Sequence, residues 1–125
     1  MVNVTAAIIR QNNKILICQR GAGGSCEYLW EFPGGKLESG ETLEECIIRE
    51  CKEELEIDIV VKNVFAESTY QYPDKEIAFT FFEADIVNGN LKANVHQDVR
   101  WIQMQELRNF KFCPADVMIV EKLLN

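Results

Sequence analysis

The stretch Arg49-Glu50-Cys51-Lys52-Glu53-Glu54-Leu55 sets three glutamates close to one arginine. On a helix advancing roughly 100° per residue, Leu43, Cys46 and Ile47 form an inward stripe. Glu50 and Glu54 fall almost on the line of that stripe, and Glu53 lies at its edge. A surface helix normally keeps its acids on the opposite face, where they stay solvated at no cost. Carboxylates at i, i+3 and i+4 also repel one another by several tenths of a kcal/mol per pair. Arg49 can answer Glu53 at i+4, but one guanidinium does not balance three acids. Two readings stay open at this point. One is an ordinary charged helix. The other is a site for a hard divalent cation, since Mg²⁺ takes oxygen ligands and leaves positions for water and phosphate.

The elements that must position these acids can be read from periodicity and punctuation. Thr42 followed by Glu45 is a capping-box pattern, which predicts a helix from near Thr42 to about Leu55. Just before it, Leu29-Trp30-Glu31-Phe32 runs into Pro33-Gly34-Gly35, where proline and paired glycines predict a turn rather than regular structure. β-Branched and aliphatic runs over 2–9 and 14–18 flank Gln11-Asn12-Asn13 as a hairpin, and a glycine-rich loop at 21–25 follows. Further strands are predicted over 57–72, 76–87 and 99–102, with turns at Pro73-Asp74 and Asn88-Gly89-Asn90. The chain ends in a helix over 114–124, with Pro114 in its first turn and an apolar face of Val117, Ile119, Val120 and Leu123. This order of strands, helix, strands, helix implies an α/β fold: a mixed β-sheet sandwiched between α-helices.

With 125 residues, a single domain over 1–125 is expected. The 13 basic and 20 acidic residues leave a net charge of −7. With no run of lysine or arginine, that balance argues against a polymeric nucleic acid as partner. A polyanionic small molecule remains compatible, provided local cations or a metal offset the repulsion. The 5 cysteines are odd in number and lack C-x-x-C spacing, so reduced thiols are expected. The first residues lack a charged-then-apolar leader layout, and no apolar run approaches the roughly 18 residues of a membrane span. A cytoplasmic location without a membrane partner follows as the expectation.

Taken from Gly35 to Ile57, GKLESGETLEECIIRECKEELEI resembles the Nudix box, G-x5-E-x7-R-E-U-x-E-E-x-G-U with U aliphatic. Gly35, Glu41, Arg49, Glu50, Glu53, Glu54 and Ile57 fall in register. Cys51 stands at an aliphatic position, a role a small buried thiol can fill. Glu56 replaces the glycine that ends the helix, which questions the left-handed exit there. The resemblance implies the Nudix fold, hydrolysis of a nucleoside diphosphate linked to another group, and Mg²⁺ as cofactor with Mn²⁺ as a possible substitute. It also implies a metal set of the Gly35 carbonyl, Glu50, Glu53 and Glu54, with Arg49 orienting the acids and Glu41 bracing the loop. Glu53, Glu50, Arg49 and Glu54 are thereby the catalytic candidates.

Outside the box, LWEFPGGKLESGE and FCPADVMIVEKL are similar to MutT-like members, which split a nucleoside triphosphate into monophosphate and pyrophosphate. That resemblance implies a substrate site of Arg20, Phe32, Lys36, Tyr72 and Asp116. Arg20 and Lys36 would face phosphate or loop, against plain surface solvation. Phe32 and Tyr72 would hold a base, against core packing and a turn role respectively. Asp116 would read the base edge, against capping the last helix. An ionised aspartate only accepts hydrogen bonds, which suits the donating edges of guanine, 8-oxoguanine or cytosine. Sanitation of oxidised nucleotides such as 8-oxo-dGTP is the favoured expectation, and hydrolysis of CTP or 5-methyl-dCTP the alternative. Other nucleoside diphosphate derivatives, such as ADP-ribose, and a catalytically silent binding module are the remaining classes. The general base stays open among His96, Asp98 and Glu53, because Val95 occupies the place where some relatives carry an acid. The protein is expected as a monomer or homodimer acting on a small-molecule nucleoside triphosphate.

Overall fold

The computed structural model describes residues 1–125. Strand β1 (Val2–Gln11) turns back into β2 (Lys14–Gln19), with Arg10 opposite Ile15. Asn12 and Asn13 make that turn with φ of 51° and 65°, the left-handed pair that suits a two-residue hairpin and that asparagine tolerates. Short strands β3 (Trp30–Glu31) and β4 (Gly34–Lys36) precede helix α1 (Leu43–Leu55). A long antiparallel hairpin follows, β5 (Asp58–Gln71) with β6 (Glu76–Asn88), then β7 (Asp98–Gln103), a 3-10 turn over Met104–Asn109 and helix α2 (Pro114–Leu124).

The sheet runs β3-β2-β1-β6-β5, with β4 on β1 and β7 on β2. Because β1 and β6 are parallel and the other pairs antiparallel, the sheet is mixed. Side chains alternating along β1 and β2 enter two separate cores. Ala6, Ile8, Ile15 and Ile17 join Phe81, Ile119 and Val120 on the face covered by α2. Ala7, Ile9, Leu16 and Cys18 join Ile47, Cys51, Leu55 and Phe82 on the face covered by α1. A strand buried on both faces reads as a continuous apolar run, which is how Ala6-Ala7-Ile8-Ile9 and Ile15-Leu16-Ile17-Cys18 look in the sequence. Each fully buried aliphatic side chain contributes about 1.5–3 kcal/mol.

Helix α1 begins as its capping box requires: Thr42 Oγ1 accepts from Glu45 N at 3.1 Å, and Thr42 N donates to Glu45 at 2.8 Å. It ends on Glu56 at φ 56°, ψ 39°, so the left-handed exit survives without glycine. The last carbonyls of α1, which have no partner within the helix, accept from the loop before β7. Lys92 N donates to Leu55 O at 2.9 Å, and Asn94 N and Nδ2 donate to Glu54 O and Glu53 O, both at 3.0 Å.

Two expectations need correction. Gly34-Gly35 is strand, not turn: β4 pairs with β1, placing Gly35 opposite Thr5 and Gly34 opposite Ala6. The glycines permit close approach rather than a bend, since a Cβ on Gly34 would lie 1.9 Å from the Thr5 carbonyl oxygen. On α2, Val117 is exposed, and the buried residues are Ala115, Asp116, Ile119 and Val120. An aspartate thus takes a position facing inward. No helix is long and apolar enough to cross a membrane.

Replacing Gly34 by alanine is expected to destabilise the protein by about 2–3 kcal/mol or more, because the atom it meets is backbone in a paired strand and cannot yield. Urea unfolding monitored by circular dichroism checks this; a midpoint equal to wild type would contradict the close-approach account.

Candidate active site

The guanidinium of Arg49 organises the acidic segment. Its Nε and Nη2 donate to the two oxygens of Glu41 at 2.8 and 2.7 Å, a bidentate pair. Nη1 donates to Glu50 at 2.6 Å and to Glu53 at 3.0 Å, and Nη2 reaches the Lys36 carbonyl at 3.0 Å. Arg49 is mostly covered, with 21% of its side chain exposed, so these contacts tie the β4 strand, the connecting loop and α1 together. The hydrogen bonds from Arg49 hold the Glu41 carboxyl down at about 2, and the contact with Glu41 raises Arg49 in turn. Glu41 Oε1 also accepts from Glu38 N at 2.9 Å, which braces the loop.

Glu54 stands apart from this hub. Its Oε1 is buried without a hydrogen-bond partner. Burial, then the charges of Glu50 and Glu31, push its carboxyl up to about 8. Gly35 faces Glu50 so closely that a Cβ there would lie 1.8 Å from Glu50 Oε2. Gly35 and Glu50 are thus in close contact, and the Gly35 carbonyl accepts from Cys46 Sγ at 3.7 Å; carbonyl and carboxylate oxygens are hard donors of the kind Mg²⁺ takes. They are not a ready cage: no three His, Cys, Asp or Glu side chains are grouped so as to hold a metal ion. Arg49 keeps one oxygen each of Glu50 and Glu53 turned towards itself. The buried, unpartnered oxygen of Glu54 is the observation that fits a cation best, since such an atom costs free energy until something pairs it.

Glu54 and Gly35 share the wall of a cavity of about 570 Å³ with Arg20, Lys36, Phe32, Tyr72 and Asp116. All five residues expected at a substrate site are thus brought to one cavity. Glu50, Glu53 and Arg49 lie outside its lining. Phe32 is almost fully buried and stacks on Phe112 at a centroid distance of 5.4 Å, so it packs in the core while also facing the cavity. Tyr72 is half-buried and packs edge-on to Tyr70 at 4.8 Å; burial raises its hydroxyl to about 12. Arg20 donates to Glu31 at 3.2 Å.

Asp116 does not cap its helix. The N-cap is Cys113, without a side-chain cap bond, and the Asp116 carboxylate instead accepts from Phe32 N at 3.4 Å. With 6% exposure, burial and then the charge of Glu31 push its carboxyl well above the usual range. Burial thus shifts Asp116 away from the acceptor-only carboxylate expected from the sequence and towards the acid, which donates as well as accepts, as an amide does. Of the other bases considered, His96 is buried against Glu31 at 2.9 Å, and Asp98 is engaged by Arg100 and Val99, both at 2.8 Å. Neither lines the cavity. Glu31, which does line it, was not singled out by sequence reasoning. Its signal was a lone acid between Trp30 and Phe32, a charge in an apolar run that folding must partner.

A mixed sheet between two helices, with an acid of α1 in the wall of a cavity of small-ligand size, defines an α/β sandwich with a candidate ligand site. The NUDIX domain family profile matches residues 1–123, and the chain belongs to that family. It is 33% identical over 124 residues to CTP pyrophosphohydrolase from Escherichia coli (strain K12), covering 99% of this chain and 92% of the relative. It is 32% identical over 123 residues to 8-oxo-dGTP diphosphatase from the same organism, covering 98% and 95% respectively. Among solved structures, the E. coli ORF135 protein matches with TM-score 0.88 at 33% identity, covering 99% of this chain and 89% of that one.

Glu54 holds its proton to about pH 8 when folded, against 4.5 ordinarily. Between those values the native state binds more protons than the unfolded state, so the metal-free protein loses stability as pH rises. Asp116 acts in the same direction. Thermal unfolding of the metal-free protein from about pH 5 to 9 is expected to show this fall, with a shallower slope for Glu54→Gln. Parallel curves for the two proteins would remove Glu54 as its source.

Proposed function

We propose that the protein hydrolyses nucleoside triphosphates to the monophosphate and pyrophosphate in a divalent-metal-dependent reaction, within one Nudix unit over 1–125, as a monomer or homodimer in the cytoplasm. The observation that carries the reading is the single cavity in which Gly35 and Glu54 share walls with Phe32, Tyr72 and Asp116. Its volume of about 570 Å³ falls within the range of small-ligand sites.

In this reading the Gly35 carbonyl, Glu50, Glu53 and Glu54 hold the metal. Bound there, Mg²⁺ or Mn²⁺ supplies charge neutralisation for the polyphosphate and a more acidic water. Arg49 orients Glu50 and Glu53, and releases their shared oxygens to the extent that they turn towards the cation. Arg20 and Lys36 offset phosphate charge in an acidic protein. Phe32 and Tyr72 offer aromatic surface to the base, and Asp116 pairs with its edge. With Asp98 committed to Arg100 and His96 to Glu31, Glu53 is the remaining base candidate.

The preferred substrate is an oxidised purine nucleotide such as 8-oxo-dGTP, whose O6 and N7–H present one acceptor and one donor to a protonated Asp116. Cytosine also presents one donor and one acceptor, N4–H and N3. That match, with the similarity to CTP pyrophosphohydrolase, keeps CTP and 5-methyl-dCTP as the second reading.

Assays with Mg²⁺ and a panel of (d)NTPs, 8-oxo-dGTP, 5-methyl-dCTP and ADP-ribose, with product identification, decide between these. Monophosphate plus pyrophosphate is the expected pair, abolished by chelator. Turnover of ADP-ribose alone would refute the triphosphate assignment. Glu53→Gln is expected to lower kcat about a thousandfold or more without unfolding the protein. Asp116→Asn, whose amide donates and accepts like the protonated acid, should keep the base preference, whereas Asp116→Leu should alter base preference more than kcat; an equal loss on every base in Asp116→Leu would make Asp116 structural.

A further inference from the structure

His96, the 1 histidine of the chain, has a side chain only 4% exposed. Its Nε2 stands 2.9 Å from Glu31 Oε2. Arg20 donates to the other oxygen, Oε1, at 3.2 Å. The Glu31 carboxylate is therefore gripped at both oxygens. A carboxylate accepts only, so Nε2 carries the hydrogen; Nδ1 is left buried with no partner. A residue that merely filled space would have no reason to bury an unpaired nitrogen.

The segment bearing His96 is itself fixed. Asn94 N and Nδ2 donate to the carbonyls of Glu54 and Glu53 at 3.0 Å, and Gln97 N donates to Gln19 O at 2.9 Å. The imidazole is thus registered against the end of the helix that carries the acidic segment. Glu31 in turn lies in the cavity wall with Glu54 and Asp116, and its charge bears on both.

We propose that His96, acting with Arg20, is a positioning residue that fixes the Glu31 carboxylate in the cavity wall it shares with Glu54 and Asp116, and that turnover depends on the carboxylate held there. The inference rests on the pyrophosphohydrolase reading and deepens it. Freed of the imidazole, Glu31 can swing about its remaining contact with Arg20, and the carboxylate leaves its place in the cavity wall. The imidazole touches neither substrate nor metal, so its loss should appear in kcat rather than KM.

Steady-state kinetics on the best triphosphate of the panel test this. His96→Leu is expected to lower kcat about 10- to 100-fold with KM within about threefold, and Glu31→Gln to do the same. His96→Gln, whose amide can donate to Glu31, should recover most of the loss. Combining His96→Leu with Glu31→Gln should add less than about a further twofold, as for residues acting as a unit. Unchanged kcat in His96→Leu, equal impairment of His96→Leu and His96→Gln, or multiplying effects in the double variant would each overturn the proposal. A second readout does not depend on activity: with one histidine, ¹⁵N spectra of the metal-free protein report a single imidazole, expected as the Nε2–H tautomer with slow exchange. An Nδ1–H tautomer would overturn the clamp. Absence of wild-type turnover on every triphosphate would instead defeat the parent reading, and with it the role in turnover, while a slowly exchanging Nε2–H would still stand for the clamp.

Discussion

The architecture of the site depends on one guanidinium placed among carboxylates. Arg49 meets Glu41 bidentately, Glu50 and Glu53 singly, and the backbone of Lys36. Those partners come from the helix, the loop before it and strand β4. Each contact alone would be a modest surface ion pair. Together they share a single side chain whose freedom is lost only once, and whose planar fork suits paired oxygens. Without such a centre, Glu41 of the loop would be repelled by Glu50 and Glu53 of α1.

The second constraint is steric. Gly34 and Gly35 let β4 lie against β1 and under Glu50 with no Cβ between them. This close approach brings the acidic ridge of α1 to the edge of the same sheet whose opposite face packs against α2. It also buries Glu54. An acid on the boundary between the apolar stripe and the cavity pays a desolvation cost, seen in its raised carboxyl. Such a group lowers the stability of the folded protein as pH rises, and its unpartnered oxygen is of the kind a cation can pair.

The cavity wall mixes cations with acids. Arg20 and Lys36 bring positive charge to its wall, and Glu54, Glu31 and the buried Asp116 bring carboxyl groups to the same wall. Glu31 has two donors, whereas Asp116 has a single long hydrogen bond from Phe32 N. When two acids share one low-dielectric region, the better-partnered one keeps the charge. Burial and the neighbouring charge of Glu31 raise the proton affinity of Asp116 accordingly.

Much of this was legible in the chain. The capping box at Thr42, the hairpin at Asn12-Asn13, the two-sided apolar runs of β1 and β2 and the acidic ridge of α1 arise from local periodicity and short-range sterics, which a sequence displays directly. So does the register of Gly35, Glu41, Arg49, Glu50, Glu53 and Glu54. Other features were hidden because they depend on which surfaces meet. Gly34-Gly35 reads as a turn until β1 is seen to lie against it. Asp116 reads as an ionised acceptor for a base edge, or as a helix cap, until its burial raises its proton affinity. His96 reads as a candidate base until the loop anchored to the end of α1 directs it to Glu31, 65 positions away. Residue spacing determined the helix and its acids by itself; only the tertiary structure decided which carboxylates are dry, which are paired and which keep a proton, because desolvation and long-range contact have no signature in local order.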